Sequence, residues 1–541
     1  MLAVLGLALV TSVIGVTVVT ATINGLGVTS SSRAGVQARA AAEAGVDRAL
    51  VAIQGSCATT FTSTTNPRYR YDLQHSIPTS PPSPPTWVTG CPTNASDLIK
   101  ITSIGYAANT TVTGASPSDS RKIEAVYANV PVYVQAPVIQ PAVYAHTMEG
   151  DFKNFVLNSS SALIAADVQI KNGNVICSNG ATIDGSVLLG NGFIKLDRCD
   201  VNGAIHVSKY VDISGIGTVV KRDIIALGQG SAAGSDVVRL ASGIGEVRGS
   251  INSAGNVQIN DLVHGSVSLP GNAGNFVRVG SSGQVQGSVV SSGGVTVSGG
   301  GRIDGTTSTN FTGLAALPAP RVPDWTDIGY PHPSAWNGYT VIPWPTTTSS
   351  CNIGNSNAFW DSLATRTATV GNILVDARAC GAAGLDFQNN IRNIQLSANI
   401  TFIAWKFNVD KLVATTNSAV TRYLWFMVPD NYNDVGTDGK PTPTCPATPN
   451  PSTPVGTITL TNEADIAPTI AAMVYTPCKI ISDRNNWRGQ LYGGTMEFLQ
   501  QAQLTYVPVG VPGVNFDASL PPILILTSSR LGGKVSLREL R

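Results

Sequence analysis

The sequence is poor in charge. Asp, Glu, Lys and Arg make up 12% of its 541 residues, about half of the roughly 25% that is usual for soluble proteins. The 34 basic and 33 acidic residues leave a formal net charge of +1. A protein that binds nucleic acid through phosphate contacts needs a basic surface. The near-neutral balance therefore argues against a nucleic-acid partner.

Long blocks of like charge are also lacking, and 43% of the residues are hydrophobic. These two features exclude a largely disordered chain. The abundance of Gly, Ser, Thr, Asn and Val disfavours a helical bundle, because these residues have weak helix propensity. The length allows two or more domains. We expect a mainly β protein.

Motifs for catalysis and cofactor binding are missing from the sequence. It contains no G-x-S-x-G, no phosphate-binding loop and no H-E-x-x-H, and its five histidines are scattered. We therefore assign no catalytic, cofactor-binding or metal-binding residues and expect a protein that is not an enzyme. The oxygen-rich segment 430–434, together with Asp438 and Gly439, is a candidate Ca²⁺ site, but its order departs from the EF-hand loop and an exposed turn is favoured.

The first 32 residues contain no ionisable side chain, and Arg33 is the first. Residues 2–23 are almost wholly apolar, and about 20 such residues span a bilayer as a helix. We therefore expect a membrane-spanning helix. A cleaved signal peptide is the alternative, but no Lys or Arg precedes the apolar run.

The helical pattern continues beyond the apolar run to residue 54. This part is rich in Ala, and Arg39 and Glu43 stand four residues apart. One helix over 1–54 would be roughly 80 Å long, with half in the membrane and half projecting onto a following domain. The apolar stripe expected on the projecting half consists of Val36, Ala42, Val46, Leu50 and Ile53.

An apolar start that runs into R-x-x-x-x-x-R-A-A-A-E-A-G resembles type IV pilin-like proteins, especially PilX-type minor pilins and the tip pseudopilins of secretion systems. Leu5 stands where most mature pilins carry a glutamate, and some tip-type members also lack that glutamate. Whether Met1 is the true start or a processed end stays open. The resemblance implies assembly with other pilin-like subunits through the N-terminal helix. It is carried by Arg33, Arg39, Ala41, Glu43, Ala44, Gly45 and Ala49.

The cysteines are even in number and fall into sequential pairs 34, 22, 29 and 33 residues apart. No C-x-x-C and no zinc-finger spacing occurs, which disfavours structural zinc. In a membrane-anchored chain this pattern predicts disulfides in an oxidising space; buried free thiols are the alternative. The predicted pairs are Cys57–Cys91, Cys177–Cys199, Cys351–Cys380 and Cys445–Cys478.

A five-residue phrase (apolar, any, glycine, small, apolar) recurs between residues 160 and 310 with a mean spacing of about 20. This period, with β-branched residues, predicts a parallel β-helix over 136–316. Glycine is expected to permit the tight bend between strands. The copy at Arg222 lacks the glycine, and the copy at Ala166 is doubtful. The repeat glycines are Gly185, Gly203, Gly249, Gly265, Gly287 and Gly305.

The residue before the glycine position is polar in every copy from the second onward, so this column is expected to face solvent. The repeated phrase resembles bactofilin-type β-helices, which form polymers. The resemblance implies the same fold and, more weakly, end-to-end polymerisation. The polar column consists of Asp184, Asn202, Lys221, Arg248, His264, Gln286 and Asp304.

Three regions flank the helix and the repeat. Residues 55–135 are expected to form a small pilin-like α+β region. Residues 317–350 form a linker rich in Pro and Trp, whose Trp325, Trp336 and Trp344 either stack on glycans or, as we favour, pack the linker onto a domain. Residues 351–541 are β-rich and either continue the solenoid or cap it.

The predicted fold is therefore mainly β, with a long transmembrane N-terminal helix, a parallel β-helix and a β-rich C-terminal region. The favoured function is a structural or adhesive minor component of a type IV pilus-like or secretion apparatus, anchored in the cell envelope with an extracytoplasmic domain. Its expected partners are pilin-like subunits, the membrane and a surface glycan or host-cell ligand. The alternatives are a polymer-forming envelope scaffold and a polysaccharide lyase or hydrolase using Asp184, Asn202 and Lys221.

Overall fold

The computed structural model divides the chain into two compact units. Unit 1 comprises Met1–Pro137 and Pro522–Arg541, and unit 2 comprises Val138–Pro521. The structure describes residues 2–54, 57–77, 85–92, 98–107, 120–135, 140–148, 150–161, 164–230, 235–243, 245–271, 274–331, 335–345, 351–353, 357–387, 391–430, 435–445, 455–462, 464–519 and 524–540.

The elements are numbered in chain order. The chain begins with α1 (Leu2–Gln54), β1 (Thr60–Ser63), β2 (Arg68–Ile77), β3 (Thr86–Thr89), β4 (Leu98–Tyr106) and β5 (Ser120–Gln135). It continues with β6 (Val143–Met148), β7 (Phe152–Lys153), β8 (Val156–Ser159), β9 (Val168–Asn172), β10 (Val175–Ile183), β11 (Val187–Asn191), β12 (Ile194–Val201), β13 (Ile205–Val207), β14 (Val211–Ile213), β15 (Thr218–Val220), β16 (Ile224–Ala226), β17 (Asp236–Leu240), β18 (Gly245–Val247), β19 (Ile251–Ser253), β20 (Asn256–Ile259), β21 (Leu262–Val263), β22 (Val267–Leu269), β23 (Phe276–Val279), β24 (Gln284–Val285), β25 (Val289–Ser291), β26 (Gly294–Val297), β27 (Arg302–Ile303) and β28 (Thr307–Ser308).

The remaining elements follow the Pro- and Trp-rich segment. They are β29 (Thr340–Pro343), α2 (Ala358–Val370), β30 (Ile373–Asp376), a 3-10 helix (Arg378–Ala383), β31 (Leu385–Asp386), β32 (Ile391–Gln395), β33 (Ile400–Ile403), β34 (Phe407–Val409), β35 (Lys411–Thr415), β36 (Arg422–Met427), β37 (Ile458–Thr461), β38 (Ala464–Ile466), β39 (Ile470–Asp483), β40 (Asn486–Phe498), β41 (Gln503–Tyr506) and β42 (Leu524–Leu540). The predicted fold class is confirmed: one long N-terminal helix is followed mainly by parallel strands.

Unit 1 is an antiparallel sheet packed against the second half of α1. Its strands lie in the order β1-β2-β4-β5-β42, and β3 pairs with β2. The last two strands are neighbours in space but not in sequence: Ala125 lies opposite Leu537. The whole of unit 2 is therefore inserted between two adjacent strands of this sheet. The sequence division placed 351–541 in one region, whereas the structure places 524–540 in unit 1, a pairing that no local pattern encodes.

Unit 2 is a parallel β-helix with three strands in each coil. Strands β13, β14 and β15 pair in parallel with β16, β17 and β18, three elements later. In the short strands the first and third residues are buried and the middle residue faces outward, as strand geometry requires. One interior column runs through Val187, Ile205, Ile224, Ile251, Val267 and Val289.

The order of the coils differs from their order in sequence. Strand β40 pairs with β6, and β6 pairs with β9. The coils of 340–506 (the second stack) therefore lie directly before those of 143–308 (the first stack), and together they form one solenoid. Residues 309–339 connect the last coil of the first stack to the first coil of the second stack. The chain consequently enters and leaves unit 2 near the junction of the two stacks.

The repeat glycines lie at one corner of successive coils, where backbone stacks directly on backbone. A Cβ on Gly203 would lie 2.3 Å from the carbonyl carbon of Gly185, and one on Gly287 would lie 2.6 Å from that of Gly265. None of the six has a φ in the left-handed region. These glycines are therefore not required for a tight bend, as the sequence had suggested. They are required because the neighbouring coil leaves no space for a side chain.

The small residue after each glycine continues the ladder. The backbone N–H of Ala204 donates to Ser186 Oγ at 3.2 Å, and that of Ser288 donates to Ser266 Oγ at 3.1 Å. Each hydroxyl thereby satisfies a donor of the next coil, which would otherwise lack a ladder partner at the corner. The Gly-Ser phrase therefore marks a corner of each coil for two physical reasons. Glycine is needed because a Cβ would clash with the neighbouring coil, and serine is favoured because its hydroxyl accepts a backbone hydrogen bond from the next coil.

Candidate functional site

The first half of α1 presents an apolar surface that no described residue covers. Leu9, Val18 and Val28 are 63%, 58% and 70% exposed. By length and composition this helix is long and apolar enough to cross a membrane, and none of its most hydropathic window is buried. An apolar surface of this size without a cover in water would be costly.

The threonines within this apolar half are satisfied by the helix itself. The hydroxyls of Thr17, Thr20 and Thr22 donate to backbone carbonyls four residues earlier, at 3.0, 2.8 and 2.7 Å. Such bonds let hydroxyl groups enter an apolar medium without an unpaired donor. The polar side chains of the segment are therefore compatible with a lipid or helix-packed environment.

The second half of α1 packs on the sheet through most of the predicted stripe, with Leu50 and Ile53 half-buried against the core, and through small residues that the prediction did not include. Val36 is 69% exposed, although Ala42 and Val46 are buried as expected. The spacing of three and four residues between buried alanines was the signal that sequence reasoning missed. The buried small residues are Ala34, Ala38, Ala41, Ala42, Gly45 and Ala49.

Two glycines set the closeness of this contact. A Cβ on Gly105 of β4 would lie 2.1 Å from the carbonyl oxygen of Ala38, and one on Gly45 would lie 2.2 Å from Ser103 Oγ. At Gly105 the strand therefore packs directly against the helix backbone, and at Gly45 the helix backbone packs against the side chains of Ser103 and Tyr69, which fixes where α1 crosses the sheet. The exposed pair Arg39 and Glu43, 3.2 Å apart, lies on the helix surface away from this contact.

The structure joins the eight cysteines in four disulfides. Cys57 is bonded to Cys91 in unit 1, with Cα atoms 6.1 Å apart. In unit 2 the pairs are Cys177–Cys199, Cys351–Cys380 and Cys445–Cys478, with Cα separations of 5.7, 5.7 and 5.1 Å. Cys177 and Cys199 are buried and lie on neighbouring coils.

The polar column of the repeat lies on the outside of the first stack. Asp184 Oδ1 accepts from Asn202 Nδ2 at 3.1 Å, and its Oδ2 accepts from the backbone N–H of Ser159 at 3.0 Å. Both carboxylate oxygens are thus engaged. Lys221 and Arg222 are exposed. Asp184 and Asn202 of the trio considered for a lyase therefore bond to each other on the surface, while Lys221 is exposed.

Farther along the same side, His264 lies between two acceptors. Its Nε2 is 3.2 Å from Glu246 Oε2, and its Nδ1 is 3.0 Å from Gln286 Oε1. Hydrogen bonding from Arg248 lowers the pKa of the Glu246 carboxyl, and His264 adds to this effect. The cluster links three successive coils, and its groups bond to one another.

The Pro- and Trp-rich segment up to residue 339, as far as it is described, is a strap lying on the outside of unit 2, which agrees with the favoured packing interpretation, whereas Trp344 packs into the core of the second stack. Trp325, Trp336 and Trp344 are all buried, so these rings are not available as a glycan-stacking surface.

Trp325 Nε1 donates to Asp430 Oδ2 at 2.6 Å. Because that carboxyl also accepts from the Thr444 backbone, it is poorly placed as a Ca²⁺ ligand; 431–434 lie outside the described residues.

The strap follows one outer column of the solenoid and forms hydrogen bonds with residues of several coils. Pro318 O accepts from His206 Nε2 at 2.9 Å, Pro323 O from the Tyr144 hydroxyl at 3.0 Å, and Thr326 O from the Tyr475 hydroxyl at 2.9 Å. Burial raises the pKa of both tyrosines well above the usual value. The sequence did not reveal this ladder, because its members come from distant segments.

A polar cleft of about 450 Å³ lies beside β38, β40 and β41. Arg484 and Asp465 supply its charged groups, and Asn485 is buried and donates to the carbonyl oxygen of Leu460. The cleft has no nucleophile paired with a base. Among the described residues no group of three or more His, Cys, Asp or Glu could hold a metal ion.

No protein-family model and no curated protein matches the chain. Among solved structures it is similar to the competence-associated pilin ComZ from Thermus thermophilus, with 12% sequence identity and a TM-score of 0.23. That match covers 94% of this chain and 98% of the other. At such a score the likeness supports no inference about fold or function.

Proposed function

We propose that this protein is a minor, tip-type component of a type IV pilus-like or secretion apparatus. The observation that carries the proposal is the division of α1 into two halves. Residues 7–29 are apolar and exposed all round, whereas from Ala34 onward one face is buried on the sheet of unit 1. A single helix of 53 residues thus binds its own domain at one end and leaves the other end for a membrane and for neighbouring helices.

The exported part would serve display rather than catalysis. The solenoid of unit 2 has a ladder of backbone hydrogen bonds, four disulfides tie the chain, and Asp184, one of the groups considered for catalysis, is engaged by Asn202 and by the Ser159 backbone. A stiff scaffold with few charged residues suits presentation of a surface to a glycan or to a ligand on another cell. Its size, about 384 residues by the bounds of unit 2, favours a minor position over a repeated filament subunit.

A charge in the exposed apolar half tests the role of α1. In Val18→Lys the ammonium would lie near the centre of the segment, which costs about 2.5–3.5 kcal/mol on insertion scales. We expect the variant to be lost from the membrane fraction and from sheared pilus preparations. Copurification with pilin-like subunits should fall at least about tenfold.

The matched control is Val51→Lys on the same helix. Val51 is 60% exposed, close to the 58% of Val18, but it lies in the half that packs on unit 1. This variant should fractionate like the unaltered chain. Equal behaviour of the two variants, or copurification of Val18→Lys with pilin-like subunits at the wild-type level, would contradict the proposed assembly role.

A further inference from the structure

The two ends of the β-helix in unit 2 differ in whether the apolar core is covered. At one end α2 lies against β32, and Trp360 Nε1 donates to Asn393 O at 2.8 Å. Trp360, Leu363, Trp344 and Ile353 are all buried. The core of the second stack is therefore closed by a helix that begins at an Asn357 cap.

At the other end the core of the first stack is open. Val297 faces the core on β26 but is 48% exposed, whereas Val279, its partner on the coil before, is fully buried. Ile303 is half-buried, and its partner Val285 is fully buried. Among the described residues nothing stacks on this last coil.

The backbone at this end has no next coil to pair with. Strands β26, β27 and β28 pair with β23, β24 and β25 and, in the described structure, with no other strand. In a parallel ladder alternate residues direct their N–H and C=O groups to opposite sides. Each of the three edge strands thus presents unpaired donors and acceptors around an apolar centre, and open sheet edges pair readily with other chains.

We infer that this open end is the contact surface between two copies of this chain in a closed dimer. A single extended strand from another protein would pair along one side and leave Val297 and Ile303 exposed. A second coil end matches all three edges and the apolar centre at once. At the opposite end β29 is also an edge strand, but α2 covers the core, so only the open end combines edge strands with an exposed apolar centre. Docked about a two-fold axis, the facing strands run antiparallel.

The charges of the last coil permit this arrangement. Residues 294–308 contain only two charged side chains, Arg302 and Asp304, which form an ion pair of 2.7 Å. The facing ends therefore have no net charge to repel each other. Since each copy has one open end, association stops at two. This distinguishes the dimer from an end-to-end polymer, which needs both ends open.

The test is the mass of the full chain released intact from detergent micelles in native mass spectrometry. We expect twice 56.1 kDa for the wild type. Val297→Lys places an ammonium in the centre of the contact, where an unpaired buried charge is costly. Its dimer should dissociate at least about tenfold more readily, and the 56.1 kDa species should dominate.

Two further variants make the result decisive. Val341→Lys adds the same charge at a residue 54% exposed on β29, in the coil at the closed end, and should leave the dimer intact. Thr307→Lys, at an exposed edge position of β28, should weaken the dimer even if Val297→Lys does not fold. A wild type of 56.1 kDa at the highest attainable concentration, dimers of Val297→Lys and Thr307→Lys as tight as that of Val341→Lys, or masses beyond two copies would each overturn the inference.

Discussion

The two stacks of unit 2 share one solenoid but fill their cores in different ways. The first stack repeats Val and Ile in column after column, as at Ile224, Ile251 and Val267. The second stack fills its interior with aromatic rings, and Trp360 stacks on Phe402 at 5.3 Å. Coils of one size and one side-chain type can repeat identically, whereas a core of rings needs a different neighbour at every level. A regular sequence repeat therefore indicates that successive coils are packed in the same way. A solenoid can also form without such a repeat, as the second stack does.

The largest expected effect comes from removing a ring in the second stack. Phe402 is fully buried and lies 5.6 Å from Phe426 as well as against Trp360. Phe402→Ala should cost about 3–5 kcal/mol through lost transfer free energy and the cavity left behind. Val257→Ala, at a fully buried site in the first stack, should cost about 1.5–3 kcal/mol. Hydrogen exchange of the buried amides measures both, and equal losses would remove the distinction between the stacks.

A corner glycine of the first stack should give the next largest effect. Gly203→Ala adds a Cβ 2.3 Å from backbone, which cannot yield without separating two coils. We expect a loss of about 1–3 kcal/mol, seen as a lowered thermal midpoint in circular dichroism. Gly274→Ala is the matched control, because its Cβ would meet nothing within 4 Å. If both variants melt alike, coil stacking does not select glycine.

The smallest effect concerns the strap at the junction between the stacks. Burial lowers the pKa of His146 and of His206, and Lys171 adds to the effect at His146. Below the unfolded pKa of about 6.5, the unfolded chain then binds more protons than the folded chain, so stability falls as the pH drops from about 7 toward the folded pKa. We expect a loss below about 1 kcal/mol, since both groups are partly exposed.

His206→Gln isolates this contribution. The glutamine amide keeps a donor for the carbonyl oxygen of Pro318, the partner of His206, but it does not titrate. The difference in unfolding free energy between wild type and variant, measured from pH 5 to 8, should be constant above about pH 7 and should change only as the pH falls below that value. Parallel curves over the whole range would show that His206 does not couple the strap to pH.

The sequence was most informative where the structure is periodic. The first stack was predicted from glycine, Ser and β-branched residues, because their chemical causes act within one coil and recur. The strap was identified as a packed segment, but its path was not, since Tyr144 and Tyr475 meet only after folding. The order of the two stacks and the pairing of β42 with β5 depend on contacts between residues hundreds of positions apart, which no local pattern carries.

The candidate site was predicted in outline and corrected in detail. The apolar half of α1 and its continuation to residue 54 follow from composition alone. Of the stripe assigned to the face that packs on the sheet, only Val36 is exposed, and the structure adds Ala38 and Gly45 to that face. Close approach of backbones, rather than hydrophobic area, selects these residues. A search for small residues at helical spacing would have found them.

The insertion of unit 2 between β5 and β42 also orders events during synthesis. The sheet that holds the projecting half of α1 gains its last strand only when 524–540 have been made, long after β5. Until then β5 is an open edge, which is prone to pair with other chains. The solenoid, whose contacts join neighbouring coils, can form first. Completion of the sheet in unit 1 thus marks a chain that has been made through β42, and a chain truncated before β42 would reach assembly with an exposed β edge.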